Sequence, residues 1–127
     1  MRLDKKTLLE GDYVKVIKSG ASLEVFNDRY DLEKDYTNCE FEGQDISFTT
    51  LKDVLGFEEQ YSRDKSGKLN SKSIMSIESG GKYYTVSIDI GNFGGHTMTI
   101  ELYGEILCEA RVEYLHQIQH MISTIIL

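Results

Sequence analysis

At 127 residues the chain has the length of one domain, enough to bury about two-thirds of the surface its unfolded form exposes and to hold a core without disulfide or metal staples. Hydrophobic residues make up 40% and charged residues 28%, which excludes an intrinsically disordered chain, and the longest apolar-leaning stretch, Met121 to Leu127, is too short for a membrane span. The net charge of −7 is concentrated in residues 24–64, where twelve acidic side chains meet four basic ones; such a surface would repel the phosphate backbone and excludes sequence-independent nucleic-acid binding over the whole molecule.

Residues 7–26 read as a β-hairpin. Gly11-Asp12 opens it, Tyr13 to Ile17 alternates, Ser19 to Ser22 supplies the turn, and Leu23 and Val25 share a face on the returning strand. The acidic segment Asn27 to Asp45 has few apolar residues and no sustained period, which predicts a long loop or an irregular strand pair. Ile46-Ser47-Phe48 reads as a short strand. Thr50, three residues before Asp53, predicts the cap of a helix of about two turns through Leu51, Val54 and Leu55, stopped by Gly56.

Tyr61 to Ser73, rich in Ser, Lys, Gly and Asn, reads as loop. From Ile74 the period becomes two. Tyr84, Val86, Ile88 and Ile90 share a face, then Met98, Ile100 and Leu102, then Ile106, Cys108, Ala110 and Val112, with Gly80-Gly81, the 91–95 glycine run and Gly104 as turns. This predicts an antiparallel meander of about four strands. At about 100° per residue, Tyr114, Leu115, Ile118, Met121, Ile122, Ile125 and Ile126 fall in one arc of roughly 140°. A lone helix of that length is marginal in water, so its apolar face must pack on the meander. The fold class is therefore α+β: an antiparallel β-meander on a C-terminal amphipathic helix, with an N-terminal hairpin or small-barrel module and one short central helix. Residues 1–127 form a single domain whose one candidate seam lies near 57–72.

Chemical signatures are sparse. His116 and His120 stand four apart on the last helix, the spacing at which two imidazoles grip a metal, but no Glu follows His116 and both fall on the polar arc, so a solvated face is expected and no metal or cofactor. The 91–95 run and Ser66-Gly67-Lys68 lack the strand-to-helix setting or following hydroxyl of a phosphate loop. Asp64, Ser66 and Asn70 lack the glycine and glutamate positions of a calcium loop. Cys108 falls in an inward series and reads as core, not nucleophile. Cys39 and Cys108, without repeated spacing, read as free thiols of a reducing compartment; with no leader-like apolar run after Met1, a cytoplasmic protein is expected.

Three short stretches carry a family resemblance: Leu9-Glu10-Gly11-Asp12-Tyr13-Val14, then Leu51 to Gly56-Phe57, then Val112-Glu113-Tyr114-Leu115-His116-Gln117-Ile118-Gln119. In these the chain resembles small uncharacterised proteins of phages and prophages of Bacteroidota-type bacteria. It departs from them in the acidic segment and after His120, where they commonly continue with an aromatic and a Thr-Gly turn. The resemblance implies a phage setting and carries over no functional residue.

The expected function is that of a non-enzymatic phage or prophage accessory protein that binds a host protein, in particular an inhibitor of an anti-phage defence nuclease (anti-CRISPR-like). Its partner-binding residues are then Asp31, Glu33, Asp35, Glu40, Glu42 and Asp45. The alternatives are a nucleic-acid-binding module using the local basic residues Lys65, Lys68, Lys72 and Lys82, which the net charge disfavours, and a protein that sequesters a nucleotide signal.

Overall fold

The computed structural model describes residues 2–63, 65–67, 69–91 and 95–126. It is an α+β fold with two antiparallel sheets. The first contains β1 (Arg2–Leu3), β2 (Tyr13–Lys18), β3 (Glu24–Arg29) and β4 (Cys39–Gly43), in the order β1-β4-β2-β3. The second contains β5 (Glu58–Arg63), β6 (Leu69–Ser79), β7 (Lys82–Asp89), β8 (His96–Leu102) and β9 (Glu105–Val112) in chain order. Helix α1 (Phe48–Thr50) and the wider turn Leu51–Leu55 join the sheets, and helix α2 (Leu115–Ile125) follows β9.

The meander and the last helix form as their periods dictate. Val86, Ile88, Met98 and Ile100 are fully buried against Leu115 and Ile118 of α2, with Leu51 and Phe57 closing the core from the connecting segment. The arc of α2 grades from Leu115 and Ile118, fully buried, through the half-buried Met121 and Ile122 to the exposed Ile125. Ser79 Oγ donates to Ile126 O (3.1 Å), tying the end of the helix to β6. Two strand reversals need left-handed backbone, and the sequence provides it: Gly80-Gly81 (φ 61° and 79°) turns β6 into β7, and Tyr103-Gly104 (φ 51° and 85°) turns β8 into β9. Both are two-residue loops whose positive φ values suit the twist of the flanking strands.

Several expectations are corrected. Tyr61 to Ser73 is not loop: Glu58 to Arg63 pairs with Ile74 to Leu69, so the meander has five strands. β5 is a polar edge strand that buries no apolar face, so it leaves no alternation to read. Ile46-Ser47-Phe48 is not a strand. Ser47 is the helix cap, its Oγ accepting from Thr50 N–H (3.1 Å) while Thr50 Oγ1 accepts from Ser47 N–H (2.9 Å); Thr50 is thus the third helical residue, not the cap. The stop at Gly56, φ 80°, is as expected. Within the acidic segment lies a regular strand, β4, in the interior of the first sheet. The face expected for Leu23 and Val25 is the solvent face, at 69% and 55% exposure, because β3 is an edge strand with no layer over it. Ile106 also turns outward. A bulge at Leu107 shifts the register, so Ile106 lies opposite Glu101 and shares its outer face, while Cys108, opposite Ile100, packs on the core.

The first sheet has a core of its own: Leu8, Val14, Val16, Cys39 and Phe41 under an aromatic trio. Tyr30 and Tyr36 stack with ring centroids 5.2 Å apart, and each meets Phe41 edge-on at 5.5 and 5.1 Å. Both tyrosines come from the turn region between β3 and β4, which folds back over the sheet.

Candidate functional site

The polar groups of this fold converge where the N-terminal sheet meets α2. Gly11, at φ 87°, brings the chain into β2; its N–H donates to Tyr30 O and Tyr30 N–H donates to Asp12 O, both at 2.7 Å. This fixes the next two residues against the helix. Gln119 reads the backbone on both sides of Asp12: its Oε1 accepts from Tyr13 N–H and its Nε2 donates to Gly11 O, each at 2.9 Å. Asp12 is 2% exposed, and its Oδ2 accepts from Leu9 N–H (2.8 Å) and lies 2.6 Å from His120 Nε2.

His116 is 7% exposed, which corrects the expectation of a solvated imidazole. Its ring stacks on Tyr114 (centroids 6.0 Å apart, planes within 13°) and meets His120 edge-on at 5.6 Å. Tyr114 in turn lies over Gly43, where any Cβ would overlap the ring. The polar arc of α2 is thus the interface to the other sheet, a role that one helix read alone cannot reveal. Burial pushes the His116 pKa below its ordinary value; the Asp12 carboxylate opposes this, and His120 adds to it.

A buried carboxylate bonded to an imidazole is half of a charge-relay arrangement, so the surroundings of His120 decide what it can do. The cavity beside it, about 280 Å³, is lined by Ala110, Arg111, Val112, Gln117, His120 and Met121. None of these is a hydroxyl or thiol nucleophile, and Gln117 Oε1 is engaged in holding the N–H groups of Glu113 (2.6 Å) and Tyr114 (3.0 Å) at the start of the helix. Among the described residues no group of three or more His, Cys, Asp or Glu is placed to hold a metal ion. The bonds of Gln119 and His120 join α2 to the N-terminal sheet.

The expected partner-binding acids fall on one lobe, formed by β3, the turn after it and β4. Some have local work. Asp31 Oδ1 accepts from Glu33 N–H (2.9 Å), and Asp35 Oδ1 accepts from the Thr37 hydroxyl and N–H. The Thr37 hydroxyl first, then its N–H, holds the Asp35 carboxyl below its ordinary pKa. Glu40 and Glu42, alternating with the inward Cys39, Phe41 and Gly43, both pair with Arg2 on β1. Glu33 is exposed in the turn, and Asp45 is exposed where its backbone bridges to Tyr114. Beside these acids the lobe leaves Leu23, Val25 and Leu32 at 69%, 55% and 67% exposure and Phe26 at 37%.

Of the expected lysines, Lys72 and Lys82 lie far apart on the second sheet. Lys65 lies in the β5–β6 turn and Lys72 on β6, where it makes a 3.9 Å ion pair with Asp89; Lys82 opens β7 opposite Ser79. At about 3.3 Å per residue, Lys72 and Lys82 stand some 23 Å apart along the sheet. Lys68, Asp64 and residues 92–94 lie outside the described residues.

Sequence reasoning missed the pairing of Asp12 with His120 and the two bonds of Gln119. A signal existed in the three resembling stretches: Asp12 and Tyr13 stand in the first and His116 and Gln119 in the third, which the fold brings together, and Tyr13 packs on the core that contains Leu51 and Phe57 of the second. No protein-family model, curated protein or solved structure matches this chain.

Proposed function

We propose that this protein is a non-enzymatic binding protein whose β3–β4 lobe docks a basic host protein, in the phage setting that the resemblance implies, with a defence nuclease as the intended target. The observation that carries the reading is the composition of the lobe's free edge. Among the described residues β3 has no neighbour on one side, and it and the turns flanking it hold large apolar side chains, Leu23, Val25 and Leu32, interleaved with Glu24, Asp31, Glu33 and Asp35. An unprotected edge strand bearing apolar side chains is a liability that proteins normally avoid, unless another chain covers it. The acids favour a basic partner and speed its approach, and the apolar side chains supply contact area once it has arrived. This combination suits the positively charged nucleic-acid channel of a nuclease.

The test neutralises Asp31, Glu33, Asp35, Glu40 and Glu42 together to Asn or Gln and, separately, changes Leu23 and Val25 to Ser. Capture of a host protein at low and high salt is then compared with Tm, and a captured nuclease is assayed for cleavage with and without added protein. Retained Tm, salt-sensitive loss of capture in the first variant, loss of capture in the second, and inhibited cleavage are expected. Capture that neither set of substitutions nor salt disturbs would exclude this lobe as the docking surface.

A further inference from the structure

We infer that Asp12, His116 and His120 form an acid-sensitive latch between the N-terminal sheet and α2, which opens at Gly11–Tyr13 when His116 takes up a proton. The geometry provides two imidazoles and one carboxylate. Asp12, itself 2% exposed, is committed to His120 at 2.6 Å. Among the described residues His116 has no such partner. The groups facing it are the Tyr114 ring, the His120 ring and, beyond His120, the Asp12 carboxylate already in use; Arg111 lies on the cavity side of His120 and offers only more positive charge.

His116 Nδ1 is buried and makes no hydrogen bond among the described residues, and Gln44 Oε1, one residue from the Gly43 on which Tyr114 rests, is likewise buried and unpaired. A charged His116 would therefore sit in a desolvated seam beside a second imidazole, which favours exposing it to water. The bonds that would have to part are those of Gln119 to Gly11 and Tyr13 and of His120 to Asp12, all of which cross the same seam.

The direction with pH follows. The pKa of His116 is lowered in the closed form, so the closed form's advantage is complete above 6.5, the ordinary imidazole value. It is lost as pH falls below 6.5 toward the lowered value, because the open form binds the proton first. One proton taken up on opening makes the opening equilibrium rise by at most about tenfold per pH unit.

The experiment follows amide-exchange protection at Tyr13, whose N–H is held across the seam by Gln119, and at Val86, Ile88, Met98 and Ile100, together with the imidazole NMR signals, from about pH 8 to about pH 5. The latch requires protection at Tyr13 to fall below pH 6.5 while the core of the second sheet stays protected, with His116 titrating below 6.5. It also requires the pH dependence at Tyr13 to flatten in His116→Phe. Unchanged protection at Tyr13 down to pH 5, loss only in step with the whole molecule, or a His116 titration at or above 6.5 would each overturn it. The wild-type titration decides the matter even if the variant fails to fold.

Discussion

The two halves of this molecule solve the same problem with different means. The C-terminal half buries an aliphatic sheet face, Val86, Ile88, Met98 and Ile100, under a helix that presents Leu115 and Ile118. The N-terminal half, whose one helical turn among the described residues before β4 is the 3-10 turn Lys5–Thr7 that buries no side chain, has no long helix over its sheet. It covers Val14, Val16 and Phe41 with Tyr30 and Tyr36 from the β3–β4 turn region and leaves β3 open to solvent. The difference is one of independence: the larger core is complete once sheet, helix and the connecting Leu51 and Phe57 meet, whereas the smaller rests on a folded-back turn and on the polar arc of a helix whose apolar arc belongs to the other half. One helix serves both.

Breaking the larger core should have the largest effect. Ile118→Asp places an unpaired carboxylate at a fully buried position, at a cost of several kcal/mol against a total stability of about 5–15 kcal/mol, and should abolish the folded far-UV spectrum. Phe41→Ala removes the ring at the centre of the aromatic trio, at a cost of about 3–4 kcal/mol. Because that core is separate, amide protection in β2 and β4 should fall further than in β7 and β8. Equal loss in both sheets would show that the two cores act as one.

Gly43→Ala drives a Cβ into the Tyr114 ring and should cost about 1–3 kcal/mol. The double variant with Tyr114→Ala should cost less than the sum of the two single changes, measured by denaturant unfolding. At the smallest end, Asp35 carries a carboxyl lowered by Thr37, so its stabilising contribution is present above its ordinary value of 3.8 and is lost as pH falls through the lowered value. Asp35→Asn, being exposed, should leave Tm at neutral pH nearly unchanged and flatten only the acid limb of the stability curve.

What was legible in the sequence follows the same division. The period of two through Tyr84–Ile90 and Met98–Leu102, and the helical arc from Tyr114, arise because those residues bury one face against a layer, and burial is what writes a period into a sequence. β5 and β3 bury little and so carry no period; Tyr61–Ser73 reads as loop, and the face that Leu23 and Val25 share is one the edge leaves in water. β4 was hidden by its solvent face, since Glu40 and Glu42 alternate with Cys39, Phe41 and Gly43 in a run otherwise dominated by turn-forming acids. The joint was hidden for another reason. A histidine four residues from another on a polar arc reads as solvated unless it is known that a second sheet comes to rest there, and the buried carboxylate that does so lies 108 residues away in Asp12.

The claim that α2 faces both halves is tested most directly at one amide. Tyr13 N–H is held by Gln119 Oε1 at 2.9 Å, across 106 residues of sequence. In Gln119→Ala, exchange at Tyr13 should accelerate by about tenfold, the equivalent of one hydrogen bond of roughly 1.4 kcal/mol, while Val86, Ile88 and Ile100 keep their protection. If Tyr13 exchanges at the wild-type rate in that variant, the polar arc of α2 does not hold the N-terminal sheet.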